Sequence, residues 1–119
     1  HIYASSLPPA ESTQFVPWNT AQAAWVTRSL ALAGVLNSSL TNAGMTVTLG
    51  RTALPVVDSM ACPALAVEIA PGTSPDHSEP TNLTDAGYQA RVAQALAAAI
   101  LEWRTNAGRA GALNGEDQP

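Results

Sequence analysis

The stretch that most constrains the fold of this sequence is the apolar run Pro63-Ala-Leu-Ala-Val-Glu-Ile-Ala-Pro71. A continuous apolar run bounded by prolines and followed by Gly72 is typical of a strand buried on both faces, in the middle of a parallel or mixed sheet. One carboxylate, Glu68, interrupts the run near its carboxyl end, where open α/β sheets place their ligand sites. Because an unpaired buried carboxylate is costly, Glu68 is expected to border a crevice or to face a cation. A half-exposed glutamate on an edge strand explains the stretch equally well.

The composition indicates one globular domain and argues against several classes of partner. The chain has 119 residues, of which 46% are hydrophobic, and this is enough for a core. All five basic residues are arginine and the formal charge is −4, which argues against nucleic acid or an anionic membrane as a partner. The single cysteine, Cys62, excludes an internal disulfide and is expected to be a small buried residue. No apolar run approaches the roughly 20 residues needed to cross a bilayer.

Two long helices are predicted from apolar residues at three- and four-residue steps and from end signals. They run from a cap at Asn19 or Thr20 to about Ala43, with Gly44 just past the end, and from a cap at Thr84 or Asp85 to about Asn106. Their inward stripes comprise Trp25, Leu32, Val35, Leu36 and Leu40 in the first helix and Tyr88, Val92, Leu96, Ala99 and Trp103 in the second. Gln22 is expected to face water.

Extended segments are predicted at residues 1–6, 13–18, 45–48 and 63–71. Leu49-Gly50-Arg51 is interpreted as a turn, and a short helix is expected over 54–60, starting at or just before Pro55. Together these elements predict an α/β fold with a mixed, largely parallel sheet flanked by two long helices. The domain is placed at residues 1–106, and residues 107–119 are interpreted as a carboxyl-terminal tail or linker.

In order and pattern, these segments resemble the later part of the catalytic domain of the zinc-dependent N-acetylmuramoyl-L-alanine amidases. His1 lies where that family has the zinc-binding histidine of a Ser-x-His-x-Asn segment, with Tyr3 at the position of the asparagine. The stretch from Pro63 to Glu68 is similar to a Pro-x-x-Leu-Val-Glu strand whose glutamate is catalytic. Leu83-Thr84-Asp85-Ala86-Gly87-Tyr88-Gln89 is similar to the opening of the family's last helix. After Glu68 the family's x-Gly-Phe-x-Ser/Thr-Asn pattern is absent.

The resemblance implies a cell-wall hydrolase that cleaves the amide between muramic acid and L-alanine in peptidoglycan. It implies a zinc-activated water, His1 as a metal ligand, Glu68 as the general base, and a periplasmic or extracellular location. The family's other two zinc ligands precede the position of His1. The chain is therefore interpreted as an incomplete amidase-type domain that is inactive by itself, because a catalytic zinc needs about three protein ligands.

The sequence leaves more than one role possible for Arg51 and His77, and it is compatible with a second class of function. Arg51 is a candidate substrate-binding clamp or a structural partner, and a surface arginine is the plainer interpretation. His77 could join His1 as a metal ligand, although a solvated loop histidine is the more common case. Tyr3 in place of asparagine also fits a degenerate, non-catalytic domain that binds peptidoglycan or a protein partner.

Self-association is expected if leading strands of the sheet are missing. An unpaired strand edge is a template for pairing with another copy. The expected contact buries Trp18, Trp25 or Tyr3 against the second molecule.

Overall fold

The computed structural model describes residues 1–10, 15–70 and 83–115, and it has an α/β fold. The elements in chain order are β1 (Ile2–Ser5), a 3₁₀ segment (Trp18–Trp25), α1 (Val26–Asn42), β2 (Leu49–Thr52), α2 (Pro55–Asp58), β3 (Ala66–Val67) and α3 (Ala86–Gly115). The predicted combination of a mixed sheet with two long helices is confirmed. His77 and the loop predicted around it lie outside the described residues.

The described sheet has three strands in the order β2-β1-β3, so β1 is the central strand. It pairs in parallel with β2, where Ile2 lies opposite Leu49, and antiparallel with β3, where Ile2 lies opposite Val67. One parallel and one antiparallel pairing make the sheet mixed, whereas a largely parallel sheet was expected. Alternation along β1 turns Ile2 and Ala4 toward the helices, and both are buried.

The run from Pro63 to Pro71 does not form the central strand, and this prediction is wrong. Among the described residues of this run, Ala66 and Val67 form the strand β3, which lies at the edge of the described sheet, and 39% of Val67 is exposed. Alanines make the run apolar in composition but offer little side-chain area to bury. Leu65 is the residue of this stretch that packs against the core.

The third predicted strand is displaced along the chain. Residues 45–48 lack strand pairing, although Met45 and Val47 pack half-buried against the core. Pairing with β1 starts where the Ile2 N–H donates to the Thr48 carbonyl at 2.8 Å, and the predicted turn Leu49-Gly50-Arg51 is strand β2. The alternation at 45–48 therefore reflects the partial burial of Met45 and Val47. The residues that pair with β1 as a strand come directly after it, at Leu49–Thr52.

The first helix begins differently from the prediction and ends as expected. Helical structure starts as a 3₁₀ segment at Trp18, is interrupted at Thr20 (φ −122°, ψ 22°), and becomes α-helical at Val26. The Thr20 hydroxyl does not cap the helix, since it donates back to the Pro17 carbonyl at 3.1 Å. At the other end α1 stops at Asn42, and Gly44 has the positive φ of 88° expected of a residue just past a helix.

The residues before this helix form no described strand. Residues 13 and 14 of the second predicted extended segment lie outside the described residues, and residues 15–17 are not in a strand. Trp18 is 80% exposed, whereas Trp25 is half-buried with the Arg28 guanidinium 5.0 Å from its ring centroid.

The second long helix has the predicted cap and a later end. The Asp85 carboxylate accepts a hydrogen bond from the Tyr88 N–H at 2.9 Å, which satisfies a backbone donor of the first turn. The helix then continues past the predicted end at Asn106 to Gly115. The segment interpreted as a tail is therefore helical over residues 107–115.

The core lies between the helices and the side of the sheet that carries Ile2. Its buried cluster comprises Ile2, Ala33, Leu36, Leu40, Ala95 and Ala99. Both helices thus use the predicted stripes, but small alanines occupy several of the closest positions. Small residues at a helix contact allow the two backbones to approach each other and the sheet.

Gly44→Ala is expected to destabilise the fold by about 1 kcal/mol, because a side chain at positive φ is strained. A Cβ at this position would have no heavy atom within 4 Å, so the effect would be conformational. Gly34→Ala is the matched control: it also adds a Cβ to open space, but inside α1, and should stabilise by roughly 0.5–1 kcal/mol. Urea unfolding of both variants checks the opposite signs, and equal effects would contradict the argument.

Candidate functional site

The structure brings together the two residues that the sequence analysis singled out for chemistry. The Glu68 N–H donates to the His1 carbonyl at 2.8 Å, and the main-chain nitrogen of His1 donates to the Glu68 carbonyl at 2.9 Å. These reciprocal bonds extend the antiparallel pairing of β1 with β3 by one residue beyond Ile2 and Val67. His1 and Glu68 are therefore a directly opposite cross-strand pair, although 67 positions separate them in the chain.

The pairing geometry sets where their side chains lie. Directly opposite residues in an antiparallel ladder project to the same face, with Cβ atoms about 4.5–5.5 Å apart. This separation lies within the limit of about 8 Å for a metal-bound histidine and a carboxylate that share one water. The face is the one away from the helices, because Ile2 and its neighbour Val67 project to the other side.

Tyr3 lies on the same face as His1 and packs beside it. The two rings are stacked, with centroids 6.0 Å apart and planes 15° from parallel. A Cβ placed on Gly50 would lie 3.4 Å from Cδ1 of Tyr3, so the ring occupies the space that a side chain on β2 would fill. The glycine at position 50 is thus what allows the Tyr3 ring to extend over the neighbouring strand.

This face is open to solvent. Glu68 was expected to border a crevice, but it does not lie in one. Glu68 and His1 are exposed, and Tyr3 and Ala66 are half-buried. The run that carries Glu68 is at the sheet edge, so no further described strand encloses its side chain. The edge-strand interpretation of Glu68 is the one that the structure favours.

The described residues do not fit a complete catalytic zinc site. Within residues 1–10, 15–70 and 83–115 there is no group of three His, Cys, Asp or Glu side chains placed to hold a metal ion. His1 is the one imidazole in these ranges, and Glu68 is its only acidic cross-strand neighbour. About three protein ligands are needed, so these residues could supply at most part of such a site.

Arg51 stabilises this fold through side-chain hydrogen bonds to two backbone carbonyls. Its Nε donates to the Ser5 carbonyl at 2.9 Å and its Nη2 donates to the Leu7 carbonyl at 2.7 Å. These acceptors follow the carboxyl end of β1, whereas Glu68 pairs with His1 at the amino end, about 13 Å away along the strand. Arg51 and Glu68 therefore do not share a crevice, and the structural-partner interpretation of Arg51 is the one the contacts support.

A partly buried Ser5–Asp58 pair lies beside these Arg51 hydrogen bonds and was not predicted. The Ser5 hydroxyl, 1% exposed, donates to Oδ1 of Asp58 at 2.5 Å and accepts from the Leu7 N–H at 3.2 Å. A serine nucleophile needs a base that can take its proton, usually an imidazole. His1 is at the opposite end of β1, so this pair serves to fasten α2 to the central strand.

A second buried polar group, centred on Gln22, was missed because the residue was expected to face water. Gln22 is fully buried, and its Nε2 donates to the carbonyls of Met60 at 2.7 Å and Cys62 at 2.8 Å. The Ser29 hydroxyl donates to Oε1 of Gln22 at 2.5 Å and accepts from the Ala64 N–H at 3.0 Å. The network holds the segment that leads into β3 and so supports the strand that carries Glu68.

The sequence contained a signal for this network. Gln22 and Ser29 are seven positions apart, which is nearly two helical turns, and therefore lie on one side of the helical region. That side is also the one that carries the buried residues Val26 and Leu36. A polar pair within an apolar stripe indicates a buried hydrogen-bonded group.

Cys62 was expected to be buried, but it is exposed, and it takes part in the network through its carbonyl.

An apolar groove of about 340 Å³ lies just beyond Glu68 in the chain. Its lining comprises Ile69, Leu83, Tyr88, Gln89, Val92, Ala93 and Leu96. Gln89 is turned to the Leu83 carbonyl, to which its Nε2 donates at 2.9 Å. The groove therefore presents mainly hydrocarbon, beside Ile69, the residue that follows Glu68 in the chain.

The chain matches no protein-family model, no curated protein and no solved structure. In the described residues, none of the helices combines the length and hydrophobicity that a membrane span requires.

Proposed function

We propose that this chain is the carboxyl-terminal part of a cell-wall hydrolase that cleaves the amide between muramic acid and L-alanine in peptidoglycan. Glu68 serves as the general base that takes a proton from the attacking water and passes it to the departing nitrogen. His1 serves as one metal ligand beside it. The protein would then act in the periplasm or outside the cell, where its substrate lies.

The observation that carries the proposal is the direct pairing of His1 with Glu68. A ligand and a general base must reach the same water, and these residues share a face of the sheet at neighbouring positions. Their exposure leaves room for a substrate as large as a peptidoglycan strand to approach.

Zinc, the metal implied by the resemblance, needs ligands that the described residues do not supply. The proposal therefore requires further ligands from a segment that precedes His1 in the full gene product. The 119-residue chain alone is expected to be inactive for this reason.

A non-catalytic domain that binds peptidoglycan is the second candidate. It is favoured by the open His1–Tyr3 surface, whose stacked rings lie beside an exposed carboxylate. Tyrosine combines an apolar ring with a polar hydroxyl, a combination suited to binding at an exposed surface.

The two functions are separated by incubating the full gene product with purified peptidoglycan and zinc. Hydrolysis is expected to release new amino termini on L-alanine, which amine labelling and mass spectrometry would detect. The 119-residue chain should release none. Co-sedimentation of the full gene product with peptidoglycan, without any release, would reject the hydrolase and support the binding domain.

A further inference from the structure

The outer edge of β2 carries backbone groups without partners in the described sheet. The Thr48 carbonyl accepts from the Ile2 N–H of β1, and the Thr52 carbonyl accepts from the N–H of Ser6, which follows β1, so both carbonyls point inward. Because alternate residues of a strand present their backbone groups to opposite sides, Leu49 and Arg51 point their N–H and C=O groups outward. Since β2 ends the strand order, these groups face no other described strand.

This edge lacks most of the features that usually prevent strand pairing. Proteins protect edge strands by keeping them very short, or with charged side chains, above all lysines, and with prolines, bulges or inward-pointing charges. The strand reads Leu-Gly-Arg-Thr, and the chain contains no lysine. The guanidinium of Arg51 is turned toward the Ser5 and Leu7 carbonyls, so it does not block the edge.

An apolar groove runs beside the same edge. Leu49, at 48% exposed, lines it together with Leu30 and Gly34 of α1, and its volume is about 230 Å³. Leu49 lies on the helix side of the sheet, since it is the register partner of Ile2. An added strand could therefore bury hydrocarbon in this groove while it pairs with the backbone of β2.

We propose that β2 pairs antiparallel with β2 of a second copy of this chain, about a two-fold axis at Gly50. In this register Leu49 lies opposite Arg51 of the second copy, and the outward N–H and C=O groups of both residues are exchanged. The two three-stranded sheets become one continuous sheet, and the Leu30–Leu49 grooves face each other on its helix side. Neither His1 nor Glu68 takes part in this contact, so its test is separate from the test of the proposed hydrolase function.

The register follows from charge and from backbone direction. A two-fold pairing centred on Arg51 would place two guanidinium groups opposite each other, and like charges in this position are destabilising. A pairing centred on Leu49 would pair fewer residues of the strand. Centring on Gly50 uses both outward-pointing residues and separates the arginines. A self-complementary edge of this kind is the requirement for a two-fold dimer, and it favours a second copy over an unrelated peptide.

Charge variants at Leu49 test the register by sedimentation velocity over a concentration series. Leu49→Lys would place a cation opposite Arg51 of the second copy and is expected to weaken association at least about tenfold. Leu49→Glu loses the same hydrocarbon but gains attraction, so it should associate more tightly than Leu49→Lys. General repulsion predicts the reverse order, since lysine moves the formal charge of −4 toward zero and glutamate moves it away.

Ile100→Lys on α3 is the matched control, because Ile100 is apolar and 50% exposed. It is expected to leave the dimer unchanged. A chain that stays monomeric at millimolar concentration would overturn the proposal. Dissociation by Ile100→Lys and not by Leu49→Lys would also overturn it and assign the contact to α3.

Cross-linking tests the same register without changing charge. Thr48 lies opposite Thr52 of the second copy, with Cα atoms about 4.5 Å apart, which is within disulfide range. Within one chain the same residues are about 13 Å apart along β2, too far for a bond. In a Cys62→Ser background, Thr48→Cys/Thr52→Cys should therefore form intermolecular 48–52 disulfides on mild oxidation. Peptide mapping that finds 48–48 and 52–52 bonds instead would reject the register.

Discussion

Glu68→Gln in the full gene product is expected to abolish release of L-alanine amino termini from peptidoglycan. The amide of glutamine cannot accept the proton that a general base must take from water, and loss of such a base costs about 10²- to 10⁴-fold in rate. The variant should remain folded, because Glu68 is exposed and joins β1 through backbone atoms only. Turnover on purified peptidoglycan, measured by amine labelling, checks the prediction.

A matched control and a second readout separate chemistry from structure. Glu102→Gln makes the same change at an exposed position on α3 and should keep full turnover. Bound zinc, measured by elemental analysis, should be equal in the two variants, because Glu68 is proposed as a base and not as a ligand. Retained turnover in Glu68→Gln would remove Glu68 from the mechanism, and loss of bound metal would reassign it as a ligand.

The features predicted correctly depend on neighbouring residues in the chain. Gly44 ends α1 because a residue just past a helix adopts positive φ, which glycine tolerates. Asp85 caps α3 through its own carboxylate, and Pro55 occupies the first turn of α2, where its missing N–H has no partner to lose. Each of these signals acts within about one helical turn.

The features predicted wrongly depend on contacts between distant residues. Hydrophobicity placed 63–71 at the centre of the sheet, but the centre is β1, whose two neighbours come from residues 49–52 and 66–67. Strand order is a property of pairing, and an alanine-rich run has too little side-chain area to require burial on both faces. The pairing of His1 with Glu68 has the same long-range origin, and only the resemblance suggested that these residues act together.

Gln22→Leu is expected to destabilise the fold by about 3 kcal/mol, the largest stability effect of any single change proposed. Leucine has a similar size, so the cost comes from polar groups that lose their partners. The Met60 and Cys62 carbonyls and the Ser29 hydroxyl all bond to this one amide. Each partly buried group left unsatisfied costs roughly 1–3 kcal/mol, less where water can reach it.

Urea unfolding of the unmodified chain and of four variants measures the contribution of this network to stability. Gln94→Leu, at an exposed position on α3, is the control and should change the free energy of unfolding by less than about 0.5 kcal/mol. Ser29→Ala should cost about 1–2 kcal/mol, since it removes the bonds to Gln22 and to the Ala64 N–H. The double variant should cost less than the sum of the two single changes, because both break the same Gln22–Ser29 bond.

The network also predicts where the structure loosens first. Without the amide of Gln22, the segment from Met60 to Ala64 keeps few bonds to the helical region, and this segment leads directly into β3. Hydrogen exchange in Gln22→Leu should therefore accelerate at the Ala64 and Glu68 N–H groups more than at the Leu36 N–H inside α1. Uniform acceleration across all three would mean that Gln22 stabilises the whole core. Selective acceleration would mean that it holds the strand carrying Glu68 in register with β1.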